Sequence, residues 1–271
     1  KLPSWILAIW YLGRRIKIDG ITLDVKAQLI CKVVESLRTT PIKKLTVKES
    51  RQQMCKLAHY FGGKGFRNID VCDIEIPGPV GKITLRIYKK KNKLNTLLPI
   101  LIYFHGGGWI HGNLETHDPI CRRLSHFSEG LIISVDYSLA PENKFPVAVK
   151  ESQTVLTWVQ KHAIEINGDS DRIAVGGDSA GGNLASVLCQ QTPIKYKPTF
   201  QLLFYPALDG ELTSRSHHLF KKGFLLTRER IDWYLDNYTD NFMIQKKDIR
   251  LSPANCSELS DQPPTLIITA G

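Results

Sequence analysis

The chain has 271 residues, of which 42% are hydrophobic, and a formal net charge of +10 at pH 7. This length and composition can bury one large core, as α/β folds of this size commonly do in a single domain. The positive charge does not indicate nucleic-acid binding, because no recognised module or alternation of aromatic and basic residues accompanies it. The apolar run at residues 5–12 is much shorter than the roughly 20 residues of a membrane span, so we expect a packing or interfacial helix there.

The first part of the chain is helical in pattern. Residues 23–37 and 47–60 place apolar side chains at helical spacing. This region is also strongly basic. Residues 1–100 contain 20 Lys and Arg against 7 Asp and Glu, a net of +13, whereas the remainder has a net of −3. A basic, apolar region of this kind can attract a protein weakly to anionic lipid surfaces.

Beyond residue 68, short apolar runs alternate with helical ones. Residues 70–76 and 82–88 predict an antiparallel pair of strands joined by a Pro-Gly-Pro turn. Five later runs are almost continuously apolar, as buried parallel strands are: 98–104, 131–137, 172–176, 199–204 and 265–270. Helices are expected between them at 118–128, at 148–162 and from residue 180. The alternation predicts an α/β fold with a mostly parallel sheet and helices on both faces.

The motif Gly177-Asp-Ser-Ala-Gly181 follows one of these predicted strands. Gly-x-Ser-x-Gly after a strand and before a helix is the pattern of a nucleophile elbow, a tight turn that lifts the serine side chain above the sheet. We therefore expect Ser179 to be a catalytic nucleophile, with Gly177 and Gly181 leaving room for the turn. Asp178 is expected to accept hydrogen bonds from loop N–H groups.

A second motif, His105-Gly-Gly-Gly-Trp109, also ends an apolar run. A glycine turn after a strand exposes backbone N–H groups that can stabilise the oxyanion formed when a serine attacks an ester. We assign the donors to Gly106, Gly107 and Ala180, with support from Gly108 and with His105 bracing the loop. Trp109 either lines the acyl pocket or packs beneath the loop, and the sequence leaves both open.

Three blocks resemble the hormone-sensitive-lipase-like carboxylesterases of the α/β-hydrolase superfamily. They are the glycine motif, the elbow with its flanks (Gly176-Gly-Asp-Ser-Ala-Gly-Gly-Asn183) and Asp136-Tyr-Ser-Leu-Ala-Pro-Glu-Asn-Lys-Phe-Pro146, where Ser138 replaces the usual arginine. The resemblance implies an α/β-hydrolase fold and hydrolysis of short or medium carboxylic esters without metal or cofactor. It also implies an N-terminal helical cap (residues 1–65, with a contribution from 210–255) over a core at 66–271.

The resemblance implies a triad in the chain order serine, acid, histidine. We expect the acid and the histidine to lie beyond Gly271, so that the core is truncated before its last strand and this chain is weakly active or inactive. A relay within the chain, from Asp209 through His217 or His218 to Ser179, is the alternative. His111 and His117 are expected in a solvated loop.

The partner implied by this chemistry is a small ester. An amidase or lactonase would share it, and a non-catalytic small-molecule binding protein on the same fold is a further alternative. Six cysteines are widely separated and include no Cys-x-x-Cys pair. This favours a reducing cytoplasm, with Cys72 and Cys189 as core thiols.

Overall fold

A computed structural model describes residues 3, 4, 6, 9, 11, 14–38, 40–91 and 96–269. The apolar helix predicted at 5–12 falls largely outside these residues. The chain forms two compact units, a smaller one of residues 1–46 and 212–233 and a larger one of 47–211 and 234–271. Residues 47–65, which the prediction grouped with the cap, belong to the larger unit. That any of these segments acts as a cap stays a prediction.

Nine strands and eight α-helices are described. The strands are β1 (Lys17–Ile18), β2 (Ile21–Thr22), β3 (Ile69–Pro77), β4 (Lys82–Lys90), β5 (Leu98–Phe104), β6 (Leu131–Asp136), β7 (Gly168–Asp178), β8 (Phe200–Phe204) and β9 (Thr265–Ile268). The helices are α1 (Val25–Leu37), α2 (Val47–Phe61), α3 (Leu114–Ser128), α4 (Val147–His162), α5 (Ala180–Gln191), α6 (Arg215–Leu219), α7 (Arg228–Tyr238) and α8 (Phe242–Gln245). No helix among the described residues is long and apolar enough to cross a membrane.

The larger unit is built on a seven-stranded sheet in the order β3-β4-β6-β5-β7-β8-β9. The pairs β3–β4 and β4–β6 are antiparallel, and every other neighbouring pair is parallel. The predicted α/β-hydrolase architecture, a mostly parallel sheet that opens with an antiparallel pair, is confirmed. The predicted limits of the strands agree with the observed ones to within a few residues. Continuous apolar runs are typical of strands that are buried on both faces, as β6 is.

Helix α3 begins four residues before the predicted start at 118. Asn113 caps it by accepting a hydrogen bond from the Thr116 N–H, and the Thr116 hydroxyl accepts one from the Asn113 N–H. This reciprocal capping box satisfies backbone donors of the first turn. His117, which the sequence placed in a solvated loop, is therefore a helical residue.

The core of the larger unit lies on the central strands and on α5. Ten of the twelve residues of α5 are buried, and Cys189 is one of them, as predicted. Cys72 is exposed, and the prediction of a core thiol there is wrong. It lies on β3, the outermost strand, where most residues between the two ends are exposed or half-buried because no further strand covers them. All six cysteines are free thiols.

The other end of the sheet carries exposed apolar side chains. All four residues of β9 are exposed, and Leu266, Ile267 and Ile268 have between 43% and 50% of their surface accessible. The prediction of a buried strand at 265–270 is therefore wrong, because no described strand lies beyond β9 in the sheet. Large aliphatic side chains in a row on an outer strand favour association with other apolar surface.

Candidate active site

Ser179 is the single residue between β7 and α5, and its backbone has φ 52° and ψ −114°. A residue with a side chain rarely adopts this conformation, which persists only where the surroundings enforce it. The Ser179 N–H donates to the Phe204 carbonyl at 2.9 Å, and its carbonyl accepts from the N–H groups of Asn183 and Ala207 at 3.0 and 3.1 Å. The turn is thus fixed from β8, from α5 and from the loop after β8.

The glycines of the elbow are required by close approach of backbone. A Cβ at Gly181 would overlap the Phe104 carbonyl, and a Cβ at Gly177 would overlap the same carbonyl and the backbone of Gly181. Farther along the motif, the Asn183 side chain donates to the Ala207 carbonyl at 2.7 Å and to the Leu251 carbonyl at 2.9 Å. The motif therefore packs the start of α5 tightly against the ends of β5 and β8.

The glycine motif lies beside the elbow. Strands β5 and β7 are parallel neighbours, and Phe104 pairs with Gly177 at their carboxyl ends. Both motifs therefore leave the same edge of the sheet, the edge at which α/β proteins bind ligands. Gly107, Gly108 and Trp109 have φ values of 127°, 62° and 59°, which bend the loop sharply.

His105 is fully buried under this loop, as the bracing role requires. Its Nδ1 lies 2.9 Å from the Gly106 carbonyl oxygen. Its backbone carbonyl accepts a hydrogen bond from the Tyr137 hydroxyl, and the His105 and Tyr137 rings stack with their centroids 4.3 Å apart. Burial, together with the nearby charge of His117, lowers the pKa of His105 to about 3. The ring is therefore neutral at physiological pH, and within the loop it donates from Nδ1.

Asp178 joins the two motifs. Its Oδ1 accepts from the Gly106 N–H and from the Tyr103 hydroxyl, both at 2.9 Å, and lies 3.3 Å from Nε2 of His117. Burial would raise the pKa of Asp178, but the hydrogen bond and charge of His117, with the Tyr103 hydroxyl, outweigh it and hold the pKa below its usual value. The carboxylate is ionised and accepts a loop N–H, as predicted.

This contact corrects the assignment of Gly106 as an oxyanion donor. Its N–H is already bonded to Asp178, and a Cβ at this position would overlap the same carboxylate. Within the described residues, the N–H groups of Gly107, Gly108 and Ala180 make no hydrogen bond. Since a donor already bound to a carboxylate is not available to a substrate, Gly108 replaces Gly106 in the candidate set.

His111 and His117 are buried or half-buried, and the expectation of a solvated loop is wrong for both. His111 is fully buried, with Nε2 2.8 Å from the Ser50 hydroxyl and Nδ1 3.1 Å from the Tyr234 hydroxyl. A Cβ at Gly108 would overlap the Tyr234 ring. His111 thus fixes an aromatic ring directly against the glycine loop, a role that sequence reasoning missed.

Trp109 is 5% exposed and stacks on Tyr238 with parallel rings 4.5 Å apart. The sequence left two roles open for Trp109, and these contacts correspond to packing beneath the loop.

Ser138 stands where the resembled family has arginine. Its N–H and its hydroxyl donate to the two carboxylate oxygens of the buried Glu151 at 2.6 and 2.7 Å.

The internal alternative for a base remains a prediction. Asp209 lies in the loop after β8 and accepts from the Glu211 N–H at 2.8 Å, whereas His217 and His218 lie on α6 of the smaller unit. Among the described residues, no side chain forms a hydrogen bond with the Ser179 hydroxyl. Nor do any three His, Cys, Asp or Glu side chains in this part of the chain converge as metal ligands would.

A strained serine between a parallel strand and a helix, beside a glycine loop at the same sheet edge, defines an α/β hydrolase. The chain matches the family with the α/β-hydrolase fold over residues 101–271. It belongs to that family and, as its motifs indicate, to the hormone-sensitive-lipase-like carboxylesterases within it.

Individual relatives of known class agree with this family assignment. Carboxylic ester hydrolase LipN of Mycobacterium tuberculosis is 38% identical over 281 residues, which cover 100% of this chain and 73% of LipN. Carboxylesterase NlhH of the same species is 40% identical over 178 residues, which cover 64% of this chain and 56% of NlhH. The crystal structure of an α/β hydrolase enzyme from the metagenome of Lake Arreo, Spain, superposes with a TM-score of 0.83 at 32% identity, covering 89% of this chain and 77% of that one. The prediction of a carboxylesterase-like serine hydrolase is confirmed.

Proposed function

We propose that Ser179 is the nucleophile of this hydrolase and forms an acyl-enzyme with carboxylic esters. The Ser179 hydroxyl oxygen attacks the ester carbonyl carbon, and its proton passes to a base. The tetrahedral intermediate then expels the alcohol, which takes up that proton, and water hydrolyses the resulting acyl-serine by the same route. The observation that carries this proposal is the backbone of Ser179, which three hydrogen bonds hold at φ 52° at the carboxyl edge of the sheet.

The proposed oxyanion donors are the N–H groups of Gly107, Gly108 and Ala180. Ala180 is the first residue of α5, so the N-terminal end of the helix dipole also favours the negative charge. Donors of this kind are effective because they are fixed before the charge develops, and loss of one typically lowers kcat by roughly 10²–10³-fold.

A base is needed to activate the serine. We propose that an Asp and a His later than Gly271 in the full-length gene product supply it, in the chain order of this fold. The curated relatives are longer than the aligned region, which spans 73% of LipN and 56% of NlhH. The alternative relay through Asp209 and His217 or His218 is separated from this proposal by the experiment below.

The decisive experiment measures hydrolysis of p-nitrophenyl acetate, butyrate and octanoate by the 271-residue chain and by the full-length gene product, each with and without Ser179→Ala. We expect rapid turnover by the full-length protein only, and we expect Ser179→Ala to abolish it. Ser186→Ala, a change of the same size on α5, is the control and should retain activity. Rapid turnover by the 271-residue chain would instead assign the base to His217 or His218.

The substrate class is proposed to be esters with short or medium acyl chains. Of the three p-nitrophenyl esters, the octanoate should therefore give the lowest kcat/KM. Turnover of p-nitroanilides or lactones in place of esters would identify an amidase or lactonase. Absence of turnover in every folded protein would favour a non-catalytic binding protein.

We propose a weak contact of the smaller unit with anionic lipid surfaces and a cytoplasmic location. Lys17, Lys26 and Lys43 are exposed in this unit, together with the apolar side chains of Ile21 and Leu37. Cosedimentation with phosphatidylserine vesicles, but not phosphatidylcholine vesicles, should be detectable at low salt and lost at about 0.5 M salt. Equal binding to both vesicle types would contradict the lipid contact.

The proposed cytoplasmic location has a separate basis. The six free thiols favour the cytoplasm, and fractionation of cells is the test of that location.

A further inference from the structure

The smaller unit contains a cavity of about 220 Å³ that the proposed function does not use. The end of α1, the segment around Ile42 and residues 223–230 line it. Its wall is mixed in chemistry: Val34, Ile42 and Phe224 are apolar, whereas Arg38 and Arg230 are cationic.

Arg230 is the unusual residue of this cavity. It is only 8% exposed, and its guanidinium forms no ion pair or hydrogen bond with any residue that the structure describes. By contrast, Nη1 of Arg38 donates to the Leu225 carbonyl at 2.6 Å, and Arg228 pairs with Asp232 at 2.8 Å. The nitrogens of this guanidinium remain accessible, so an anion in the cavity can accept charge-assisted hydrogen bonds from a cation that has no partner in the described part of the chain.

The two acidic residues that line the cavity do not fill this role. Glu35 and Glu229 are exposed, and neither forms an ion pair with Arg230 in the described part of the chain. Their charges lie at the cavity wall and oppose a multiply charged anion. The cavity lining therefore suits a ligand that carries one negative charge and an apolar group beside it.

We propose that this cavity binds a monocarboxylate with a short aliphatic chain. Its carboxylate would accept two N–H groups of the Arg230 guanidinium, whose planar fork matches that geometry. Its chain would contact Val34, Ile42 and Phe224. The volume is below the roughly 300–1,000 Å³ of pockets for drug-sized ligands, so the ligand is small. The inference does not depend on the chemistry at Ser179.

Calorimetric titration at constant ionic strength tests the proposal on the unsubstituted 271-residue chain. Butyrate should bind saturably, whereas butyramide, which has nearly the same shape but no charge, and inorganic phosphate should bind at least roughly tenfold more weakly. Equal affinity for butyrate and butyramide, or tighter binding of phosphate, would overturn the assignment.

A pair of variants locates the site. Arg230→Met should weaken butyrate binding roughly tenfold or more, because it keeps most of the apolar stem and removes the guanidinium. Arg228→Met, two residues earlier on α7 and absent from the cavity wall, is the matched control and should bind as the unsubstituted chain does. Equal affinity of the two variants would refute the site. Circular dichroism checks that both are folded, and if Arg230→Met is not, the butyrate–butyramide comparison decides alone.

Discussion

Asp178 is the residue on which the geometry of the candidate site depends most. One of its oxygens holds the Gly106 N–H, the Tyr103 hydroxyl and His117, and the next residue in the chain is Ser179. Hydrogen bonds to a buried charge contribute more than neutral ones, typically about 1.5–3 kcal/mol. The carboxylate therefore stabilises the fold and positions the glycine loop together.

Replacing Asp178 by Asn tests this double role. We expect the free energy of unfolding in urea to fall by about 1.5–3 kcal/mol and kcat of the full-length protein to fall at least tenfold, because the amide cannot match the charge-assisted bonds. The control is Asp169→Asn on the same strand, which loses a solvent-accessible pair with Arg172 and should lower stability much less than Asp178→Asn does. Equal losses in the two variants would contradict the assignment.

His105 predicts a dependence of stability on pH. Its pKa is about 3 in the folded chain and about 6.5 in an unfolded one. Between these values the unfolded chain binds more protons, so this residue lowers stability as the pH falls below about 6.5, by up to about 1.4 kcal/mol per pH unit. In urea titrations, His105→Gln should show a shallower loss of stability between pH 6 and 4 than the unsubstituted chain. The two curves should run parallel from pH 7 to 8, and parallel curves at acid pH would refute the prediction.

At the scale of single elements, the sequence predicted what depends on near neighbours. The predicted limits of strand β5 are the observed ones, because seven consecutive residues are suited to a strand buried on both faces. The predicted start of α3 is four residues late because the prediction does not use the Asn113–Thr116 capping box, and for the same reason it assigns His117 to a loop. The signal was present in the chain, since Asn followed three residues later by Thr can cap a helix.

Contacts between distant parts of the chain were beyond such reasoning. The error at Gly106 arose because its partner Asp178 is 72 positions away and reaches it only through the pairing of β5 with β7. His111 likewise meets Ser50 and Tyr234, which are 61 and 123 positions from it. Motif spacing shows which residues are near the chemistry, but the strand order decides which N–H groups are already bonded.

In the 271-residue chain, the exposed strand β9 predicts self-association. Ile267 is 50% exposed on the outermost strand at its end of the sheet. We expect Ile267→Lys to reduce association in sedimentation velocity and to lower binding of a hydrophobic dye, because a charge on an outer strand opposes edge pairing. Val80→Lys, at a position that is 53% exposed in the turn between β3 and β4, is the control and should leave both unchanged. An equal effect at both positions would show that net charge alone is responsible.

At the scale of the whole molecule, helix α1 of the smaller unit and helix α5 of the larger unit differ in how many of their residues are buried. Only three residues of α1 in the smaller unit are buried, against ten of α5 in the larger. Segments with few buried contacts open at lower free energy than the core. In hydrogen–deuterium exchange, we expect the amides of α1 to exchange at least tenfold faster than those of α5. Equal protection of the two helices would contradict this ranking.

The bond between Asp178 and Gly106 also has a consequence for engineering the protein. Libraries that randomise the glycine turn and the elbow separately treat as independent two segments that share a single carboxylate oxygen. A substitution at either end alters the other, so favourable combinations are expected to be reached only by simultaneous changes. Selection for new substrate scope would therefore begin more profitably at residues that carry neither end of this bond.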